Sequence, residues 1–127
     1  RLGFPAATDA QVRASLDRAG GQALELARPI ADDGEGLSAG ERRRVALARA
    51  LLRIELGGAR LLVLDEPTAG LDQATEAVAV AAVRAAGVGA VVVSHRPALL
   101  ALADEMVSPG PLPAPTHTGE HVEKVDR

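Results

Sequence analysis

The chain has 127 residues, of which 47% are hydrophobic and 24% are charged. This balance fits one globular domain or a piece of a larger one, and it excludes a chain that is disordered throughout. With 14 basic and 17 acidic residues, the chain has no general electrostatic attraction to nucleic acid or to anionic membranes. Cysteine is absent, so a disulfide framework, a thiolate metal site and a cysteine nucleophile are excluded.

Lysine and aromatic residues are almost missing. The single lysine, Lys124, does not belong to a G-x-x-x-x-G-K-[ST] phosphate loop, so the chain contains no such loop. Phe4 is the single aromatic residue, so the core must be built from Ala, Val and Leu. Arg84 and Arg96 interrupt the most apolar third, and no run is long enough to span a bilayer. The start at Arg1, without Met or a signal-peptide pattern, indicates a cut inside a longer protein.

The first half predicts two helices joined by a polar loop. Apolar residues at helical spacing predict an amphipathic helix over Thr8–Ala19, which Gly20 ends. A polar loop follows over Pro29–Gly36. The S-x-x-E pattern that begins at Ser38 predicts a capping box, and the apolar spacing continues the second helix through Arg53.

The second half predicts a strand–helix–strand unit. The apolar runs Leu61–Leu64 and Ala90–Val93 predict parallel strands, and the first is expected to be buried on both faces. The Ala-rich segment Gln73–Ala86 predicts the crossover helix that parallel strands require. One more helix is predicted over Pro97–Ala103, and the proline-rich segment 109–127 predicts a flexible tail.

Three features have side chains or backbone groups suited to nucleotide chemistry. Asp65 and Glu66 end the first strand, where one acid can hold Mg²⁺ and the next can orient or deprotonate water. Ser38 begins a helix whose free N–H groups attract anions, and His95 ends the second strand. Each feature also has a structural explanation: a polar turn, a helix cap and a structural histidine. The run Arg42–Arg44 likewise fits a solvated helix face.

The order of these segments and the residues within them resemble the C-terminal half of an ABC-type ATP-binding domain, over about Arg1 to Val107. The match rests on Leu37-Ser38-Ala39-Gly40-Glu41, Ala46-Leu47-Ala48-Arg49-Ala50-Leu51, Leu61-Leu62-Val63-Leu64-Asp65-Glu66-Pro67-Thr68-Ala69-Gly70-Leu71-Asp72 and Val91-Val92-Val93-Ser94-His95.

The resemblance implies a role for each segment. Leu37–Glu41 would be the signature motif, whose Ser38 and Gly40 act on ATP held by a partner subunit. Asp65 would be the Walker B metal residue, Glu66 the catalytic base and His95 the switch histidine. Ala69–Asp72 would be the D-loop, so Asp72 joins Leu37, Ser38, Ala39, Gly40 and Glu41 as a cofactor-binding residue. Two positions depart from the family: Ala39 replaces the usual Gly, and Glu41 replaces the usual Gln.

The resemblance also implies a fold and an assembly. The expected fold is α/β, a partial P-loop NTPase fold with parallel strands and flanking helices. Residues 1–54 would be part of the helical signature subdomain, 55–108 the Walker B to switch half of the core, and 109–127 a tail. The cofactors would be ATP and Mg²⁺, and the partners a second ABC ATPase subunit in a head-to-tail dimer and a transmembrane domain fused upstream. No nucleic acid partner is expected. The location would be the cytoplasmic face of the bacterial cell membrane.

Three kinds of protein fit this pattern. The sequences of Arg1–Leu16 and Ser94–Asp104 are similar to exporters with fused membrane and ATPase regions, closest to the heterodimeric glutathione/cysteine exporters of cytochrome bd assembly. The alternative is the C-terminal lobe of a chromosome-maintenance or DNA-repair ATPase, although Pro67, His95 and the lack of heptads speak against it. A non-catalytic fragment that only binds a partner domain is the third.

We expect the 127-residue chain alone not to hydrolyse ATP, and to bind it with a Kd no lower than about 1 mM. The reason is that a helix N-terminus without the phosphate loop is a weak anion site. Isothermal titration calorimetry with ATP checks this, and a micromolar Kd would contradict it.

Overall fold

The structure is a computed structural model that describes residues 3–30, 35–108 and 110. It has four helices and two strands within these residues. In chain order these are α1 (Asp9–Arg18), α2 (Ala39–Gly57), β1 (Leu61–Asp65), α3 (Gln73–Ala85), β2 (Gly89–Val93) and α4 (Pro97–Leu100). The predicted tail falls outside the described residues except for Gly110.

Helices α1 and α2 each begin after a capping residue, which was predicted for α2 at Ser38. Thr8 caps α1 and Ser38 caps α2, and both caps are complete capping boxes. Helix α2 runs past the predicted end at Arg53, because nothing breaks it before Gly58. Gly58 has a φ of +67°, a left-handed conformation that glycine adopts without strain. Helix α4 is shorter than predicted and passes into a turn after Leu100.

The strand–helix–strand prediction is confirmed. Strands β1 and β2 pair in parallel from Leu61 opposite Gly89 to Asp65 opposite Val93, and α3 makes the crossover. Since both strands end at the same edge, the residues that follow Asp65 and Val93 are brought together.

The prediction that β1 is buried on both faces is wrong. Leu62 is 3% exposed whereas its neighbour Leu61 is 59% exposed, and the alternation continues along the strand. The reason is that the described helices cover one face of the two-stranded sheet. The opposite face presents four apolar side chains to solvent: Leu61, Val63, Val91 and Val93.

The core is made of Ala, Val and Leu, as the scarcity of aromatic residues predicts. Leu51 and Leu52 of α2 are fully buried, and α1 packs along the same helix. Ala79 of α3 is also fully buried, which lets backbones approach closely. Phe4 packs at the margin of this core.

Among the described residues, no helix is both long enough and apolar enough to cross a lipid bilayer.

Leu62→Ala is expected to lower the free energy of unfolding by about 2–5 kcal/mol, since it removes a buried side chain and leaves a cavity. Leu61→Ala is the matched control, one residue away on the exposed face, and should cost less than about 1 kcal/mol. Urea denaturation measures both, and equal losses would contradict the one-sided burial of β1.

Asp72→Asn is expected to make stability less dependent on acid pH. Asp72 caps α3, and the Thr75 backbone N–H, 2.9 Å from its carboxylate, lowers the pKa of Asp72 below its ordinary value of 3.8. A carboxyl whose pKa is lower in the folded state stabilises the fold above the unfolded pKa and loses that effect as the pH falls through the folded pKa.

The native chain should therefore lose stability relative to the Asp72→Asn variant as the pH falls below about 3.8. The amide retains an acceptor for the Thr75 N–H, so the helix cap itself survives. Urea midpoints compared between pH 6 and pH 3 measure the difference, and parallel curves would contradict this role of the Asp72 charge.

Candidate nucleotide site

The two adjacent carboxylates lie at the edge of the sheet where both strands end. Asp65 is the last residue of β1, and the N–H of Glu66 donates to the carbonyl of Val93 at 2.8 Å. Glu66 therefore continues the strand pairing by one hydrogen bond. It does so with a φ of +43°, a left-handed conformation that is rare for a residue with a side chain.

Both carboxylate oxygens of Glu66 have partners from the end of β2. Nδ1 of His95 lies 2.8 Å from Oε1, and the hydroxyl of Ser94 donates to Oε2 at 3.2 Å. Ser94 in turn accepts the N–H of Arg96 at 3.1 Å, which directs its hydroxyl hydrogen toward Glu66. The predicted pair of Glu66 and His95 is thus in contact, and the predictions missed Ser94, whose place beside His95 was the available signal.

These contacts favour the ionised form of Glu66. The hydrogen bond from His95 is the main reason why the pKa of Glu66 is lowered, and the Ser94 hydroxyl adds to it, while desolvation opposes both. Because an ionised carboxylate only accepts hydrogen bonds, Nδ1 of His95 must carry the hydrogen between them. The His95 side chain is 80% exposed, so the rest of its ring is open to a ligand.

Asp65 is exposed beside this cluster. Within the part of the chain that the structure describes, no three His, Asp or Glu side chains form a ready-made metal site. An exposed carboxylate nevertheless suits Mg²⁺, which commonly binds one or two protein carboxylates and completes its shell with water and substrate phosphates. Asp65 fits such an ion as a single protein ligand.

The turn before α2 holds the predicted signature residues. Leu37 is buried and anchors the turn, whereas Ser38 and Ala39 are exposed. The Ser38 hydroxyl accepts the N–H of Glu41 at 3.2 Å, and the Glu41 carboxylate accepts the N–H of Ser38 at 2.7 Å. The first N–H groups of a helix have no intrahelical acceptor, so those of Ala39 and Gly40 lie at the positive end of α2.

Glu41 is an anion at this positive end. The N–H of Ser38 is the main reason why the pKa of Glu41 is lowered. The Arg28 guanidinium lies 3.0 Å from the other carboxylate oxygen and also donates to the carbonyl of Gly36. Arg28 was not among the predicted site residues, because it lies 13 positions from Glu41 in a loop whose course the sequence does not define.

The solvated face predicted for Arg42–Arg44 is only partly correct. Arg42 is exposed, but its guanidinium donates to the Leu37 carbonyl at 2.7 Å. Arg43 and Arg44 are half-buried, and Nε of Arg44 is buried without an acceptor among the described residues. The reason is that α2 packs beside the turn before α3. Arg44 Nη1 lies 3.3 Å from the place that a Cβ on Gly40 would take, next to Leu71.

A second polar cluster joins that turn to the end of β2. The buried Thr68 hydroxyl donates to the Glu76 carboxylate at 2.9 Å, and Arg96 Nε lies 3.7 Å from the same oxygen. Sequence reasoning missed this cluster, whose members lie up to 28 positions apart. Asp72 caps α3 rather than joining the carboxylates of Asp65 and Glu66. Among the described residues, no hydrogen bond or ion pair links Ser38 or Glu41 to Glu66 or His95.

The chain is similar to known proteins of ABC transport systems. Residues 6–69, half of the chain, match the family model described as ABC transporter. The type I secretion system ATP-binding protein PrsD of Rhizobium meliloti is 49% identical over 78 residues, which are 59% of this chain and 13% of that protein. The beta-(1→2)glucan export ATP-binding/permease protein NdvA of Rhodopseudomonas palustris is 41% identical over 85 residues, 61% of this chain and 13% of that protein.

A solved structure extends the likeness to the fold. A bacterial Atm1-family ABC exporter with ATP bound matches with a TM-score of 0.63 and 31% identity, over 80% of this chain and 18% of that chain. The chain thus spans less than a fifth of the length of each of these relatives. Its helices and small parallel sheet are part of an ABC ATPase domain, and the chain belongs to the ABC transporter family.

Proposed function

We propose that this chain is part of the ATP-hydrolysing domain of an ABC exporter, and that it supplies the signature, metal-binding and catalytic residues of that domain. The observation that carries the proposal is the cluster of Glu66, Ser94 and His95 directly after Asp65. It puts an ionised carboxylate and an open imidazole at the sheet edge where α/β folds bind ligands. Membership of the ABC transporter family supports the same assignment.

Glu66 is the general base in this proposal. Hydrolysis needs a group that orients water and accepts its proton as the bond to phosphorus forms. The His95 and Ser94 contacts fix the direction of the carboxylate, and ionisation leaves it able to accept a proton. His95 donates to Glu66 through Nδ1, which leaves Nε2 facing the substrate side. Nε2 accepts a hydrogen bond from the water when the ring is neutral, and it donates one to a phosphate oxygen when the ring is doubly protonated.

Asp65 is the proposed Mg²⁺ ligand. When bound, Mg²⁺ neutralises charge on the phosphate oxygens. Asp65 is exposed and lies one residue before the base, so one turn of chain carries the metal ligand and the proton acceptor. No other protein ligand is needed from the described residues, because substrate phosphates and water complete the shell.

The turn formed by Leu37–Glu41, here called the signature turn, acts on a different nucleotide. The start of α2, with Ser38, Gly40 and its free N–H groups, is suited to a phosphate. Among the described residues, no hydrogen bond joins it to Glu66. We therefore assign Leu37–Glu41 to ATP held by the phosphate loop of a second ABC ATPase subunit, in a head-to-tail dimer. Asp72 belongs to the D-loop between the two nucleotides, where its cap on α3 fixes the turn.

The whole protein would couple this chemistry to export at the cytoplasmic face of the bacterial membrane, with a transmembrane domain fused upstream. NdvA carries both ATP-binding and permease in its name, which supports a fused arrangement. A glutathione or cysteine cargo rests on the sequences of Arg1–Leu16 and Ser94–Asp104 alone, since PrsD is named for type I secretion and NdvA for beta-(1→2)glucan export. The chromosome-maintenance alternative is not favoured, because these relatives are transport proteins.

Glu66→Gln in the full-length protein is expected to leave ATP affinity within about threefold of native and to lower steady turnover by about 10²–10⁴-fold. The amide keeps the shape of the carboxylate and cannot accept the proton. Phosphate release measures turnover, and equilibrium binding of labelled ATP measures affinity.

Glu55→Gln is the matched control, the same chemical change on an exposed carboxylate of α2 that pairs with Arg18. It should leave turnover unchanged. A Glu66→Gln variant that keeps more than about a tenth of native turnover would overturn the assignment of Glu66 as the base.

A further inference from the structure

The signature turn contains an anion of its own. Glu41 stands where the family usually has an uncharged Gln, and its Oε2 accepts the N–H of Ser38 at 2.7 Å. This N–H is one of the groups that make the start of α2 attractive to a phosphate. An ionised carboxylate there repels the ligand that the helix end attracts.

Arg28 is the cation placed against this carboxylate. Its Nη1 lies 3.0 Å from Oε1 of Glu41, and its second terminal nitrogen donates to the carbonyl of Gly36. The Arg28 side chain is 41% exposed and that of Glu41 is 22% exposed, so the pair is screened in part by solvent. The Arg28 guanidinium thereby contacts Gly36 and Glu41, which lie on either side of Ser38 in the chain.

The neighbouring arginines make other contacts. Arg42 donates to the Leu37 carbonyl, and Arg44 Nη1 lies beside Gly40. Among the described residues, Arg28 is the cation that forms an ion pair with Glu41. Arg42 therefore holds the backbone of the turn without touching the carboxylate, which makes it the natural control.

We infer that Arg28 is a charge-compensating positioning residue of the signature turn, which neutralises Glu41 so that the turn still accepts the phosphate of the partner's ATP. The inference rests on the proposed function, since it takes Ser38 as a phosphate contact. It adds a residue 13 positions away from Glu41 and gives a reason why a carboxylate is tolerated there.

Charge compensation can be separated from a purely structural role. If Arg28 only ties the loop to Gly36, its loss has the same effect whether residue 41 is charged or not. If it neutralises Glu41, its loss matters when the carboxylate is present and matters little when Glu41→Gln has removed the charge.

The experiment uses the full-length protein with its partner ATPase subunit, and measures by fluorescence transfer the ATP concentration that gives half-maximal dimer closure. Arg28→Ala should raise this concentration about three- to fivefold, the range expected for a partly exposed ion pair. In the Glu41→Gln background, Arg28→Ala should raise it by less than about 1.5-fold. Arg28→Lys, which keeps the charge, should restore most of the loss.

Arg42→Ala is made in both backgrounds and should change closure by the same factor in each, because its contact is with a carbonyl. Thermal melting of every variant separates loss of fold from loss of closure. The Arg28→Ala effect should also shrink as salt is raised, as for any screened ion pair.

If Arg28→Ala raises the ATP concentration for half-maximal closure by the same factor in both backgrounds, charge compensation is overturned. Arg28 would then act only by holding the loop at Gly36. Native closure in Arg28→Ala, with closure weakened in Ser38→Ala, would overturn the inference and keep the proposed signature role. Native closure in both variants would overturn the signature role itself, and the inference with it.

Discussion

The parallel pairing of β1 with β2 is the constraint on which the candidate catalytic cluster depends. Its register sets Asp65 opposite Val93, and the next hydrogen bond along the ladder is the one from the N–H of Glu66 to the Val93 carbonyl. Residues 28 positions apart in the chain thereby become neighbours, and His95 can reach the Glu66 carboxylate. A shift of one residue would separate them, since side chains alternate between faces along a strand.

The sequence predicted well those features whose signal lies within a few residues. The S-x-x-E spacing predicted the capping box at Ser38, and two apolar runs separated by an Ala-rich segment predicted the strand–helix–strand unit. Local hydrogen bonding and hydrophobic periodicity determine such features, so neighbouring residues suffice to identify them.

Features that depend on distant residues were missed or wrong. A continuous apolar run cannot reveal whether both faces of a strand are covered, and Leu61 is exposed because the described helices pack on one side. The partners Arg28 of Glu41 and Ser94 of Glu66 depend on how loops and strands meet in space. For Ser38 the two interpretations of the sequence are compatible: the same turn caps a helix and leaves further N–H groups at its end.

The left-handed backbone conformation of Glu66 lowers the stability of the fold, whereas its carboxylate serves the proposed chemistry. A side chain at a φ of +43° costs about 1–2 kcal/mol, which glycine in the same turn would not incur. Selection for folding alone would thus favour glycine at this position, and a library screened only for thermal resistance should enrich Glu66→Gly. Glutamate at position 66 would then be retained because its carboxylate is required for function, a requirement that no measurement of melting temperature can detect.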